Sequence, residues 1–122
     1  MVKNEILNIA RKYATAVYDK YSPLQMVLFG SCAKGKNTEH SDIDIAVIFQ
    51  DYPDFFDMQM NLMRIRRNID LRIEPHPFKL EDYNHNNPFA HEVLQHGIEL
   101  NIHQQTKNAD MVAENPAPYA TK

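Results

Sequence analysis

The feature that most constrains the fold of this chain of 122 residues is a segment in which two apolar runs enclose a polar stretch with two glycines. The first run, Met26 to Gly30, is short and ends at a glycine, which is typical of a buried strand. The second run, Ile43 to Phe49, predicts another strand. Between them, the residues after Ser31 predict a short helix that ends near Gly35. The segment therefore predicts a strand, a tight turn, a short helix and a second strand.

The rest of the sequence predicts alternating helices and strands. Apolar residues recur every three or four positions in residues 2–20, as in an amphipathic helix with one buried face. The further predicted elements are a helix from Asp51 to Asn68, a strand from Ile69 to Ile73 ended by Pro75 and Pro77, a helix from Asn87 to His96 and a strand from Ile98 to Ile102. The order αβαβαβαβ predicts an α/β (α+β) fold with helices on a mixed sheet.

Length, composition and charge narrow the classes of protein. We expect one domain in residues 1–103 and a flexible polar tail in residues 104–122. The net charge of −3 argues against nucleic acid as the main partner. No stretch approaches the roughly 20 apolar residues of a membrane span, and the N-terminus is helical rather than signal-like. The single Cys32 cannot form an internal disulfide. We therefore expect a soluble, cytoplasmic protein without a membrane partner.

Two alternating aspartates begin the second apolar run. Because side chains alternate across a strand, Asp42 and Asp44 are expected on one face, with Ile43 and Ile45 on the other. Two adjacent carboxylates repel each other unless a cation lies between them, and hard oxygen ligands favour Mg²⁺. The alternative is that Asp42 is a cap and Asp44 a solvated strand residue.

The turn before these aspartates has the features of an anion site. Gly30 allows a close backbone approach, and a short helix that begins after Ser31 would present free N–H groups to a phosphate. Lys34 could reach the same phosphate. In the alternative interpretation Ser31 is only a helix cap, Gly30 only a turn residue and Lys34 a solvated lysine.

A third carboxylate is predicted from the strand Ile69 to Ile73. Ile69, Leu71 and Ile73 are expected to face the core, so that Asp70 projects from the opposite face. If this strand neighbours the one that begins after Asp42, three carboxylates converge in a two-metal phosphoryl-transfer site. The alternative is an exposed strand charge without a catalytic role.

The spacing of these residues resembles the signature of the nucleotidyltransferase superfamily typified by DNA polymerase β, and in particular its small minimal nucleotidyltransferases. Gly30-Ser31 is followed by ten residues and then by Asp42-Ile43-Asp44, and the resemblance extends over residues 5–102. It implies a palm-like mixed sheet with helices packed mainly on one face. The residues that it implies for nucleotide binding are Gly30, Ser31, Lys34 and Ser41, and those for catalysis and metal binding are Asp42, Asp44 and Asp70.

The sequence departs from this pattern at two positions. Many relatives have an arginine directly after the Gly-Ser pair and another two positions later, where this chain has Cys32 and Lys34. The protein therefore offers less positive charge to the phosphates than those relatives do.

The resemblance implies a transferase that uses two Mg²⁺ ions, with Mn²⁺ as an alternative, to move a nucleoside monophosphate to a hydroxyl and release pyrophosphate. The expected donor is ATP or another NTP. The expected acceptor is a tyrosine of a helical HEPN-type toxin, which would make the chain an antitoxin, or a surface of a second copy. One alternative is a non-catalytic antitoxin that acts by contact alone. Another is a sugar-nucleotide transferase, although such enzymes are longer and lack the Gly-Ser element.

Overall fold

A computed structural model of the chain describes residues 1–101. Their elements follow the predicted order of alternating helices and strands. The helices are α1 (Asn4–Tyr21), α2 (Ser31–Lys34), α3 (Phe55–Arg66) and α4 (Pro88–His96), with a 3₁₀ turn at Leu80–Asp82; the strands are β1 (Gln25–Phe29), β2 (Ile43–Phe49), β3 (Ile73–Lys79) and β4 (Ile98–Glu99). The predicted tail at 104–122 and the predicted end of the last strand lie outside the described residues.

The four strands form one mixed sheet in the order β3-β2-β1-β4. Strand β1 pairs antiparallel with β2 and with β4, whereas β2 and β3 run parallel. The predicted fold class, helices on a mixed sheet, is therefore confirmed. None of the helices within residues 1–101 has the length and apolar character needed to cross a membrane.

Both faces of the sheet are covered, but unequally. The larger core lies under α1 and α3, where Ile43, Ile45 and Val47 of β2 are fully buried as predicted. The hydroxyl of Tyr13 in α1 donates a hydrogen bond to the carbonyl oxygen of Leu62 in α3, 2.7 Å away, and joins the two helices. The opposite face carries a smaller cluster, in which Ala46, Ile48, Val27 and Phe78 pack against Ala90 and Val93 of α4.

Helix α3 is shorter than predicted at both ends. Asp54 caps its N-terminus because its carboxylate accepts a hydrogen bond from the N–H group of Asp57. At the other end the helix stops at Arg66, and residues 67–72 form turns rather than helix and strand. The turns that follow displace the next strand from its predicted position.

The predicted strand at Ile69 to Ile73 is wrong, because β3 begins where the prediction ends it. The carboxylate of Asp70 accepts a hydrogen bond from the backbone N–H group of Arg72, 2.9 Å away, which closes a turn. Leu71, predicted to face the core, is 67% exposed. The local hydrogen bond thus prevails over the alternating pattern of apolar residues.

Pro75 and Pro77 do not end β3, because this strand lies at the edge of the sheet. A proline is tolerated where its missing N–H group would face away from the neighbouring strand. The carbonyl groups on this open side are bound by side chains instead. Gln59 donates to the oxygen of Pro75 at 2.9 Å and Tyr52 to that of Pro77 at 3.4 Å. The prolines and these side chains together protect the exposed edge from pairing.

Candidate active site

Gly30 brings the turn after β1 into direct contact with Asp44. Its φ of +78° and ψ of −159° lie in a region that only glycine adopts readily. A Cβ atom on Gly30 would lie 2.6 Å from Oδ2 of Asp44, which is too close for any real side chain. The absence of a side chain at Gly30 therefore leaves room around one oxygen of this carboxylate.

Asp44 lies in β2, opposite Phe29 of β1, on the face of the sheet that α4 partly covers. Its other oxygen, Oδ1, lies 3.0 Å from Nε2 of His76 in β3. Because an ionised carboxylate can only accept, we assign the proton of this hydrogen bond to His76. Only 24% of the Asp44 side chain is exposed. Asp44 is thus held by His76 on one side and faces Gly30 on the other.

Asp42 directly precedes β2 and is exposed. Two contacts fix the backbone around it. The thiol of Cys32 in α2 donates to the carbonyl oxygen of Asp42, 3.3 Å away, and the N–H group of Ile43 donates to the carbonyl of Arg72, 2.9 Å away. The first contact joins the short helix after the Gly-Ser turn to the Asp-x-Asp segment, and the second joins that segment to the chain before β3.

The structure places Asp70 outside the sheet, in the turn before β3, rather than on a strand beside Asp44. Its carboxylate makes a bidentate ion pair with the guanidinium of Arg72, at 2.9 and 3.0 Å. The hydrogen bonds from Arg72 hold the pKa of Asp70 below its ordinary value. Both oxygens are therefore engaged in closing the turn, which favours a structural role for this residue.

Glu74 occupies the strand position that was predicted for Asp70. It pairs in register with Asp44 across the parallel strands β2 and β3, and paired residues point to the same face. Glu74 and His76 were not predicted as site residues, because the strand was predicted to end at Ile73, ahead of Pro75 and Pro77. The alternation of prolines with Glu74, His76 and Phe78 was the available signal, since prolines at every second position fit an edge strand.

The remaining predicted nucleotide-binding residues make contacts of their own. Nζ of Lys34 forms an ion pair of 3.2 Å with Glu92 of α4, and both side chains are about 40% exposed. The hydroxyl oxygen of Ser41 accepts a hydrogen bond from the N–H group of Thr38, 2.9 Å away, within the loop before β2. Lys34 would have to leave Glu92 to reach a phosphate, whereas Ser41 shapes the loop.

The donor set fits a hard divalent cation by its chemistry. Asp42, Asp44 and Glu74 supply only carboxylate oxygens, and Oδ2 of Asp44 faces Gly30. Within residues 1–101, however, no three acidic, histidine or cysteine side chains are arranged as a ready-made metal cluster. The carboxylates are brought to the same end of β2 and β3, and their side chains would have to converge on an ion.

A mixed sheet that places a Gly-Ser turn against an Asp-x-Asp strand defines the catalytic domain of a nucleotidyltransferase. The family model described as "Polymerase beta, Nucleotidyltransferase" matches residues 5–106. This chain belongs to that family, as a minimal nucleotidyltransferase of the polymerase β-like superfamily.

Individual relatives agree with this assignment. A protein of Methanocaldococcus jannaschii named "Putative protein adenylyltransferase MJ1379" is 37% identical over 73 residues, which cover 58% of this chain and 73% of the relative. A second protein of this organism, "Putative protein adenylyltransferase MJ1215", is 38% identical over 65 residues, covering 51% and 76% of the two chains. A chain in a crystal structure of a mutant of the toxin–antitoxin MntA–HpeT matches with a TM-score of 0.58 and 26% identity over 80% of this chain and 76% of its own.

Proposed function

We propose that this protein is a Mg²⁺-dependent nucleotidyltransferase that moves AMP from ATP to a hydroxyl group, with a tyrosine of a helical protein partner as the acceptor. The observation that carries the proposal is the contact between the turn and the carboxylate strand. A side chain on Gly30 would collide with Asp44, so an anion held by the turn would lie directly beside this carboxylate. A triphosphate and the cations that accompany it need this proximity.

Each part of the site has a role in this reaction. The first N–H groups of α2 lack acceptors within the helix and can donate to phosphate oxygens beside Gly30. Asp42, Asp44 and Glu74 would hold the cations, which neutralise the charge that develops on the phosphates. One of the carboxylates can take the proton of the acceptor hydroxyl. His76 fixes the orientation of Asp44 through the hydrogen bond to Oδ1.

Two findings support the nature of the donor and of the partner. The relatives from Methanocaldococcus jannaschii carry the name "protein adenylyltransferase", which specifies an adenylyl group and a protein acceptor. On the described surface, the exposed rings of Phe55 and Phe56 lie against each other with their centres 6.2 Å apart, and an exposed apolar patch is a feature of surfaces that bind other proteins.

The test is an incubation of the protein with each of the four α-labelled NTPs, Mg²⁺ and a candidate helical partner, followed by mass measurement of every protein present. We expect the partner to gain one AMP with ATP, and to gain nothing when EDTA removes the divalent ions. Asp44→Asn should abolish the transfer, because it removes a charged ligand at the centre of the site. Asp51→Asn is the matched control, since Asp51 is a 75% exposed carboxylate that forms an ion pair with Lys79 on the surface.

The same experiment separates catalysis from neutralisation by contact. If Asp44→Asn transfers label as well as the parent protein does, the proposed reaction is refuted. If no nucleotide is transferred and yet the partner is bound and neutralised, the protein acts by contact alone.

A further inference from the structure

A cavity of about 250 Å³ lies beside the candidate active site. Its walls are almost entirely aromatic and contain no carboxylate, lysine or arginine. They are formed by Phe29, Phe55, His76, Pro77, Phe78 and Phe89. This volume is smaller than that of a typical pocket for a drug-sized ligand, and it suits a single ring system.

His76 connects this cavity to Asp44. Its imidazole ring packs edge-on against Phe29, with the ring centres 5.1 Å apart, and its Nε2 is hydrogen-bonded to Asp44. A group that enters the cavity therefore contacts the side chain that holds Asp44 in place. The cavity and the site share this wall.

The order of the strands determines which reactant can use the cavity. The turn at Gly30 follows β1, Asp44 is on the central β2, and Glu74 and His76 are on the edge strand β3. In a phosphoryl transfer, the attacking and the leaving oxygen lie on opposite sides of the phosphorus atom. If the leaving phosphates occupy the turn after β1, the attacking oxygen approaches from the side of β3. Three of the six residues that line the cavity belong to this strand.

The chemistry of the walls distinguishes an acceptor ring from a nucleotide base. A purine or pyrimidine has several polar atoms at its edge, which lose hydrogen bonds when they are buried among apolar walls. The polar nitrogen of His76 nearest to the site is already bound to Asp44. A phenol has one polar atom, and it can point out of the cavity toward the carboxylates while the ring contacts the aromatic walls.

We propose that this cavity binds the phenol ring of an acceptor tyrosine and thereby selects tyrosine among protein hydroxyl groups. This inference rests on the proposed function. The phenol oxygen forms a bond to the α-phosphorus of the nucleotide while the bond from that phosphorus to the pyrophosphate oxygen breaks. The phenol proton passes to a carboxylate of the site, and pyrophosphate leaves with the electron pair of the broken bond.

The test is a titration of the full-length protein with N-acetyl-tyrosinamide in the absence of nucleotide. Binding is monitored through the NMR signals of the aromatic side chains. We expect saturable shifts of the rings that line the cavity. Phe89→Ala should weaken this binding about tenfold, because it removes one aromatic wall. Phe56→Ala is the matched control, since Phe56 is as exposed as Phe89, at 74% against 77%, and lies outside the cavity lining. The Phe56→Ala variant should bind N-acetyl-tyrosinamide as tightly as the parent protein does.

Three results would overturn the inference. The first is no saturable binding by the parent protein, and the second is an equal loss in both variants. The third is displacement of N-acetyl-tyrosinamide by ATP together with weaker ATP binding in Phe89→Ala, which would assign the cavity to the nucleotide base. Each of these leaves AMP transfer measurable with the partner, so the proposed function is judged separately. Conversely, if no AMP is transferred but N-acetyl-tyrosinamide still binds, the proposed reaction is refuted, whereas the assignment of the cavity as a phenol site stands.

Discussion

Replacing Gly30 with alanine tests whether the turn and the carboxylate form one site. The new Cβ would lie 2.6 Å from Oδ2 of Asp44, so this oxygen must withdraw by roughly 0.8 Å to reach an ordinary contact at 3.4 Å. The backbone at φ +78° and ψ −159° adds about 1–3 kcal/mol of strain for a residue with a side chain. We therefore expect the free energy of unfolding to fall by about 1–3 kcal/mol. We also expect a loss of AMP transfer of about 100-fold, since a misplacement near 1 Å at a reacting centre has this effect.

Gly35→Ala is the control for backbone strain. Gly35 also has a positive φ, +73°, so alanine is strained there as well, but its Cβ would meet the backbone of Met1 at the chain terminus. Urea unfolding should therefore show a loss of stability in both variants, while AMP transfer should fall strongly only in Gly30→Ala. The measurement needs a temperature at which both variants are folded. Equal loss of transfer in the two variants would refute the reasoning, because Gly30 would then act through stability alone.

Two further predictions concern the carboxylates of β3 and of the turn before it. Glu74→Gln should reduce AMP transfer by more than about 100-fold with little change in the urea midpoint. Asp70→Asn should mainly reduce the free energy of unfolding, by about 1–2 kcal/mol at pH 7. The opposite pattern would restore Asp70 as the third ligand. Because Arg72 lowers the pKa of folded Asp70, this stabilisation is present above the unfolded pKa of about 3.9 and is lost as the pH falls through the lower folded value. The stability difference between parent and Asp70→Asn, measured by urea unfolding from pH 7 downward, should therefore narrow below about pH 4.

The segment from β1 to β2 was predictable because its determinants are local. A glycine ends each of the two short elements, at Gly30 and Gly35, and the observed bounds of β2, Ile43–Phe49, are those predicted. The spacing of Gly30-Ser31 and Asp42-x-Asp44 within this segment also identified the family. Sequence reasoning works well where a few neighbouring residues determine both the backbone and the chemistry.

The position of Glu74 beside Asp44 was not predictable in the same way, because it depends on pairing between distant parts of the chain. The pattern of residues 69–73 alternates as in a strand, but the bidentate pair of Asp70 and Arg72 makes it a turn. Prolines such as Pro75 and Pro77 would end a central strand, but they are allowed in an edge strand. That β3 is an edge strand follows only from the order of strands in the whole sheet. A register error of one residue moves every side chain to the other face. Asp70 and Glu74 are both acidic, and only the pairing of β3 with β2 distinguishes the turn residue from the strand residue.

The two positions at which arginines are absent have structural roles that account for the residues found there. Cys32 is fully buried, and burial raises the pKa of its thiol, so the side chain stays protonated and adds no negative charge near the turn. Its sulfur instead donates to the carbonyl oxygen of Asp42, which an arginine could not do from the same buried position without a large cost of desolvation. Lys34 pairs with Glu92 on the surface and so joins α2 to α4. In this chain, therefore, the short helix after the Gly-Ser turn holds the backbone at Asp42 through Cys32.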